Sequence, residues 1–137
     1  MKLNVNSMLL SNGIIFALIL LMWPILMVLS QLEGSIHQQM EAIEAAPALY
    51  ILNFVLASLI APALTMLLIS MNYEIKTRVK TPTLNILGVA ALGFYVALVS
   101  VGYISQYTLL QLLLSHGNPA AEYWYFNNPD SAAYFLN

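Results

Sequence analysis

Uncharged polar side chains line one side of an apolar stretch near the end of the chain. They are spaced i, i+3, i+4 and i+8: Tyr103, Gln106, Tyr107 and Gln111. In a helix this spacing places them on one face, with Tyr95 two turns earlier on nearly the same face. Such phenol and amide groups could hydrogen-bond a substrate or a lipid headgroup. The sequence favours hydrogen bonds between helices, the commoner use of uncharged polar groups in apolar spans.

Gln106 tests this choice best, because it lies deeper in the apolar stretch than Gln111. An amide exposed to hydrocarbon without a partner costs several kcal/mol. We therefore predict that the helix turns Gln106 towards other helices, with Asn53 of the preceding apolar stretch as a candidate partner. The opposite face would then meet lipid: Leu98, Val101, Ile104, Leu109 and Leu112.

The two histidines, His37 and His116, fall in polar segments where three glutamates could join them around a metal: Glu33, Glu41 and Glu122. No His-x-x-x-His or His-Glu-x-x-His spacing is present, and the chain has no cysteine. Solvated histidines are the better reading, so we expect no metal and no cofactor.

Catalysis and nucleic-acid binding have no support in the residue pattern. We find neither a nucleophile beside a base nor paired carboxylates, so we expect no enzyme activity. A net charge of −2 gives no reason to expect a nucleic-acid partner. The apolar stretches hold no charged residue, whereas ion-coupled transporters usually place charges inside the membrane.

Three basic residues are packed together between the second and third apolar stretches. Lys76, Arg78 and Lys80 could attract anionic lipid at about 1 kcal/mol each near the surface. They also set orientation, since Lys and Arg stay on the cytoplasmic side. Three charges are fewer than the roughly 4–8 typical of phosphoinositide sites.

The elements that position these groups follow from composition. Hydrophobic residues make up 61% of the chain and charged residues 7%, against roughly 25% charged in soluble domains. Apolar stretches at about 8–30, 47–71 and 83–116 are each long enough to cross a bilayer as a helix. They predict an all-α membrane protein, a single domain over 1–137, with three transmembrane helices in an antiparallel up-down-up bundle.

Prolines and length predict irregularities in these helices. Pro24 should kink the first, and Pro62 removes a backbone hydrogen bond in the middle of the second. The third stretch exceeds the bilayer thickness, so it must tilt, break or project.

Two polar segments complete the chain. Residues 35–45 predict a short surface helix in the acidic segment after the first stretch. The tail, 117–137, is rich in Tyr, Trp and Phe, which favour the headgroup level, so we expect an aromatic tail on the membrane surface.

Orientation follows from the basic residues. Lys2 precedes the first stretch, three further basic residues follow the second, and the remaining segments have none. This predicts a multi-pass protein of the cell membrane with a cytoplasmic N-terminus and an external C-terminus. The first stretch could instead be a cleaved signal peptide, although it is longer than a usual h-region.

Two segments, 103–107 (YISQY) and 127–137 (NNPDSAAYFLN), resemble an uncharacterised group of multi-spanning bacterial membrane proteins. The resemblance covers about a quarter of the chain and implies no activity. In such proteins the second segment leads into a further span, which implies that this sequence is a fragment of a longer protein.

Two functions remain open. The first is a small, non-catalytic integral membrane protein that acts through helix contacts, as a homo-oligomer or within a larger membrane assembly. The second is a transport or channel component, with the polar face of the third span lining a path. The lipid bilayer is the one partner common to both.

Overall fold

The computed structural model describes residues 5–76 and 82–136, and these residues form helices and turns with no strand. In chain order the α-helices are α1 (Val5–Leu29), α2 (Ile36–Ala45), α3 (Ala48–Ser58), α4 (Ile60–Lys76), α5 (Pro82–Tyr107), α6 (Leu109–Ser115) and α7 (Ala132–Phe135). A 3₁₀ helix, Pro119–Trp124, lies between α6 and α7. The all-α class predicted from the sequence is confirmed.

Three helical segments are long and apolar enough to cross a membrane. They are Ser7–Leu29, Ala48–Tyr73 and Ile86–Ser115, with 23, 26 and 30 residues. At 1.5 Å per residue each exceeds the thickness of a typical hydrocarbon core. The three apolar helices predicted from the sequence are therefore present, and α1 continues through Pro24 without interruption.

The second apolar segment breaks at Leu59, between α3 and α4. Pro62 has no N–H, so the carbonyl of Ser58 loses its helical donor. At the break itself, the Leu59 N–H donates to the carbonyl of Leu56 at 3.1 Å, whereas in an α-helix its acceptor would be the residue before Leu56. The irregularity predicted at Pro62 thus appears as a break that begins three residues earlier.

The third apolar segment breaks at Thr108, between α5 and α6. Thr108 has φ −116° and ψ −80°, outside the helical region. Its hydroxyl donates to the carbonyl of Ile104 at 2.8 Å, a local bond that often accompanies helix bends. The long third stretch was expected to tilt, break or project beyond the membrane, and the structure shows a break.

The short surface helix predicted at 35–45 is present as α2. Gly34, at φ 95°, turns the chain into it. The Ser35 hydroxyl accepts from the backbone N–H of Gln38, whose side chain accepts in return from the Ser35 N–H. This reciprocal cap satisfies two helix-end donors. α2 then buries Ile43, 1% exposed, against α6.

The buried core lies where α2, α3, α5, α6 and the 3₁₀ helix meet. Its buried hydrophobic members are Ile43, Tyr50, Phe54, Leu110, Leu114, Ala121 and Tyr125. Near the N-terminal end of α1, away from this core, the Asn12 amide donates to the hydroxyl of Ser70 at 2.7 Å and joins α1 to α4. Ala57 and Ala61, four residues apart on either side of the break at Leu59, are each 1% exposed.

The aromatic tail differs from the expectation of a surface segment. Tyr125 is 0% exposed and Phe126 is half-buried, whereas Tyr123 and Phe135 are 66% and 89% exposed. α7 lies close to α5 at Gly102, where an added Cβ would be 3.7 Å from the carbonyl oxygen of Ala133. The tail folds inward because helices α3 and α5 offer aromatic rings and polar partners to it.

Candidate functional site

Gln106 joins three parts of the chain. Its side chain is 0% exposed. The amide oxygen accepts from the Tyr50 hydroxyl at 2.7 Å and from the Phe126 N–H at 3.0 Å. The amide nitrogen donates to the Trp124 carbonyl at 2.7 Å. We call this set, Gln106, the Tyr50 hydroxyl and the backbone of Trp124 and Phe126, the Gln106 latch.

The predicted burial of Gln106 is confirmed, but its predicted partner is wrong. Asn53 makes no hydrogen bond to Gln106 in the described part of the chain; Tyr50, one turn earlier on α3, takes that place. The tail supplies the other partners, which position Gln106 without help from α1. The Gln106 amide thus finds its hydrogen-bond partners in tertiary contacts, which the spacing of apolar residues in the sequence does not predict.

Aromatic rings pack around the latch. Phe54 lies 4.7 Å from Tyr50 and 5.2 Å from Phe126, centroid to centroid, and the second pair is edge-to-face. Tyr103 lies 5.7 Å from Phe126 and 6.1 Å from Phe54. Pairs at such distances contribute about 0.5–1.5 kcal/mol each beyond burial. These four rings, the aromatic cluster, hold the tail on α3 and α5.

Tyr125 connects the tail to α2. Its hydroxyl donates to the side-chain oxygen of Gln39, and the Asn127 amide donates to the Tyr125 oxygen at 3.0 Å. Burial raises the pKa of Tyr125 above 10.0, and the hydrogen bond from Asn127 opposes part of that rise. The phenol therefore stays neutral at physiological pH and acts as a hydrogen-bonding bridge.

The structure brings most of the predicted polar face together. Tyr103 belongs to the aromatic cluster, and the Tyr107 hydroxyl is 3.4 Å from the Ser58 hydroxyl. Gln111 is half-buried and donates to the backbone carbonyl of Gln106 at 3.2 Å, within its own helical segment. Tyr95 is 46% exposed and lies apart from the latch.

Four of the five residues predicted on the opposite face are exposed, and their contact with lipid stays a prediction. Leu98, Val101, Ile104 and Leu112 are 38%, 50%, 40% and 56% exposed, and Leu109 is half-buried. The predicted contact with anionic lipid falls outside the described residues: α4 ends at Lys76, the side chain of Lys76 is not described, and neither are Arg78 and Lys80. That contact stays a prediction.

A cavity of about 430 Å³ adjoins the aromatic cluster. It lies between the end of α1, the loop after it, α2, α3 and the tail, and no charged side chain is among the described residues that line it. Trp23 and Asn53 are among its lining residues, and their Nε1 and Oδ1 atoms are buried without a hydrogen-bond partner in the described structure.

The histidines lie outside this region. His37 Nε2 is 3.7 Å from a carboxylate oxygen of Glu41 on the exposed side of α2. His116 Nδ1 is 2.8 Å from the carbonyl oxygen of Leu112. Within residues 5–76 and 82–136, no three His, Cys, Asp or Glu side chains come together as metal ligands.

Sequence reasoning missed Tyr50, Trp23 and the inward part of the tail. One signal was available: Tyr50, Asn53 and Ala57 are spaced i, i+3 and i+7, so they share one face of α3. Trp23, beside Pro24 near the end of an apolar stretch, carries an N–H that needs an acceptor when buried. No such local signal separates Tyr125 from the exposed Tyr123.

No family model, curated protein or solved structure matches this chain.

Proposed function

We propose that the chain is a non-catalytic, multi-pass membrane protein that acts through helix contacts, as a subunit of a larger membrane assembly or as an oligomer of its own. Its three apolar segments cross the bilayer in an up-down-up order. Two contacts support that order: Asn12, early in α1, pairs with Ser70, late in α4, and Tyr50, early in α3, pairs with Gln106, late in α5.

The proposed orientation is N-terminus in the cytoplasm and C-terminus outside, in the cell membrane. It is supported by all four Lys and Arg residues, which fall at position 2 and at positions 76, 78 and 80. The latch, α2 and the cavity then lie at the external end of the spans.

The observation that carries the proposal is the first half of α5. The side chains at 86–91 are all exposed, including Ile86, Leu87 and Val89. A Cβ added at Gly93 would meet no atom within 4 Å. Small residues at such a surface let a second helix approach closely, which drives helix association in lipid. Ala97, also exposed, extends this surface by one turn from Gly93.

Disulfide cross-linking in native membranes tests the proposal, and the absence of native cysteines makes it clean. We expect an Ala97→Cys variant to form a cross-linked species with a second copy or with another membrane protein. Adding Gly93→Leu should lower the yield roughly tenfold, which corresponds to about 1.4 kcal/mol of association. Ala91→Leu, on the far side of α5, is the matched control and should leave the yield unchanged.

Two outcomes contradict this part of the proposal. One is that neither Ala97→Cys nor any single cysteine at a neighbouring position of α5 forms a cross-linked species. The other is an equal loss of yield in Gly93→Leu and Ala91→Leu, because the effect would then not depend on the small-residue surface.

Orientation is tested separately by labelling intact cells with a membrane-impermeant thiol reagent. We expect His37→Cys to be labelled and Arg78→Cys to be labelled only after permeabilisation. Labelling of position 78 in intact cells would reverse the proposed topology.

The transport or channel alternative has less support. A path lined by the third span would use its polar face, yet Gln106 is 0% exposed and its amide is paired inside the chain. The same cross-linked assembly would revive that alternative only if it also carried a solute.

A further inference from the structure

Two hydrogen-bonded pairs of polar side chains join the apolar helices at opposite ends. Asn12 of α1 donates to Ser70 of α4 at 2.7 Å. Tyr50 of α3 donates to Gln106 of α5 at the same distance. Ser70 follows Tyr50 by twenty residues, a rise of about 30 Å along α3 and α4. The hydrocarbon core of a typical bilayer is also about 30 Å thick, so the two pairs are as far apart as its two edges.

The third apolar segment gives the same length. It begins at Ile86, twenty residues before Gln106. No charged residue occurs between the two levels in any of the three segments, that is, at positions 12–29, 50–70 and 86–106. A bilayer whose edges lie at the two pairs therefore encloses no charge of these segments.

Charged side chains gather beyond the Tyr50–Gln106 level. Leu114, about two turns past Gln106, lines a cleft of about 230 Å³. The cleft is also lined by four titratable residues of α2 and the 3₁₀ helix: His37, Glu41, Glu44 and Glu122. Ionised carboxylates need water, because an unpaired charge is costly in an apolar medium. This part of the chain therefore requires a position outside the hydrocarbon core.

The last helix, α7, returns from the water side towards the apolar segments. Gly102 lies four residues before Gln106, about 6 Å deeper along α5. A Cβ added at Gly102 would be 3.7 Å from the carbonyl oxygen of Ala133 and 3.8 Å from the Cβ of Leu136. α7 and the residue that ends it therefore pack at a depth below the Tyr50–Gln106 level.

Two large aromatic rings are exposed at this depth. Ala133 is buried, whereas Tyr134 and Phe135 are 55% and 89% exposed. Below the Tyr50–Gln106 level the surroundings of an exposed ring are acyl chains, which suit the phenyl group of Phe135. Asp130 limits the depth, because its exposed carboxylate has to stay with the headgroups.

We propose that α7 inserts into one leaflet of the bilayer, the outer leaflet in the proposed orientation. Phe135 lies among the acyl carbons nearest the glycerol, and Tyr134 and Asp130 keep their polar groups at headgroup level. The partner of this surface is lipid. The proposal rests on the membrane insertion of the three segments proposed above but not on assembly through α5.

Fluorescence quenching of the purified chain in phosphatidylcholine vesicles tests the insertion. Trp23→Phe and Trp124→Phe remove both native emitters, and the latch uses only the backbone of residue 124. Phe135→Trp then places a single emitter on α7. We expect strong quenching by lipids brominated near the glycerol end of the acyl chain and weaker quenching by lipids brominated near the methyl end.

Two further emitters in the same background are the controls. Val101→Trp, at a half-exposed position beside Gly102, should be quenched as strongly as Phe135→Trp. His37→Trp, on the exposed side of α2, should be quenched least. Quenching of Phe135→Trp no stronger than that of His37→Trp would overturn the proposal, as would stronger quenching from the methyl end. Loss of quenching at Val101→Trp as well would show that the membrane proposal itself fails.

Thiol labelling in intact cells gives a second measurement. Tyr123→Cys, next to Glu122 of the cleft, should react readily with a membrane-impermeant reagent. Phe135→Cys should react roughly tenfold more slowly, because a thiol has to ionise in water to react. The chain alone predicts the reverse order, since Tyr123 is 66% and Phe135 89% exposed. Equal rates in the membrane would overturn the insertion. With a reversed orientation both positions would require permeabilisation, and the ratio of their rates would still decide.

Discussion

The amide nitrogen of Gln106 lies 2.7 Å from the backbone carbonyl oxygen of Trp124. This hydrogen bond joins the tail to α5. The same side chain accepts from the Phe126 N–H at 3.0 Å. A single glutamine therefore pairs with a donor and an acceptor on two nearby tail residues. This fixes both the position and the direction of the tail.

Gln106→Leu should release the tail. Leucine fills a similar volume but leaves the Tyr50 hydroxyl, the Trp124 carbonyl and the Phe126 N–H without their partner. We expect a loss of at least about 3 kcal/mol in the free energy of unfolding, since three buried groups lose their partner at a cost of about 1–3 kcal/mol each. Limited proteolysis in detergent should show earlier cleavage at residues 117–130.

Gln111→Leu is the control for that change, because the half-buried Gln111 amide bonds only a backbone carbonyl of its own segment among the described contacts. Its tail should resist protease as the wild type does. If Gln106→Leu were more stable than the wild type, with assembly unchanged, the latch would have neither a structural nor a functional role.

Tyr50→Phe should weaken the latch without opening it. The Gln106 oxygen keeps its bond from Phe126, so no acceptor is left unpaired. A loss of about 1 kcal/mol in unfolding free energy is expected for one buried hydrogen bond. In Tyr50→Phe/Gln106→Leu the two losses should not add, because both remove the same contact. Fully additive losses, measured by thermal unfolding, would show that the pair is not coupled.

Gly102→Leu should displace α7 from α5. A Cβ at this position would lie 3.7 Å from the Ala133 carbonyl oxygen, so alanine fits, whereas a longer side chain must push α7 away. Faster proteolysis after Ser131 would report the displacement. Gly93→Leu supplies the comparison, since a Cβ there meets nothing within 4 Å and the isolated chain should keep its stability. Equal behaviour of the two variants would refute the close approach of α7.

Alkaline pH should loosen the tail through Tyr125. Burial holds the pKa of Tyr125 above its ordinary value of 10.0, so the folded state keeps the phenol proton longer than the unfolded state. The stabilisation is complete below the unfolded pKa and is lost as the pH rises through the folded pKa. Trp124 emission in a Trp23→Phe background should follow the release.

Tyr125→Phe should make that alkaline transition shallower, at the cost of the hydrogen bond to Gln39. Tyr123→Phe, at an exposed position, should leave the transition as it is. A transition that is identical in both variants would assign it to other groups.

Local signals explain what could be predicted from the sequence. An apolar stretch long enough to cross a bilayer predicts a helix without knowledge of its tertiary contacts. Ser35 and Gln38 mark the start of α2, because their hydrogen bonds join residues close in sequence. Pro62 marks the break at Leu59 within three residues. Spacing on the third stretch also predicts that Gln106 is buried.

Long-range contacts explain what could not. No proline or glycine adjoins Thr108, so the length of the third stretch could predict a break but not where it occurs. Tyr125 and Tyr123 have the same side chain and the same preference for headgroups, yet one is 0% and the other 66% exposed. The difference depends on Gln39 of α2 and on the aromatic cluster, which adjoin the tail only in the folded chain.

The latch also has an evolutionary consequence. On the tail side it uses the carbonyl of residue 124 and the N–H of residue 126, groups that nearly every amino acid supplies. Selection on this contact acts on Gln106 and leaves the side chain of Trp124, which is half-buried, largely free to change. Positions 106 and 124 should therefore show no correlated substitutions among relatives, and methods that infer contacts from co-variation would overlook the bond that holds the tail.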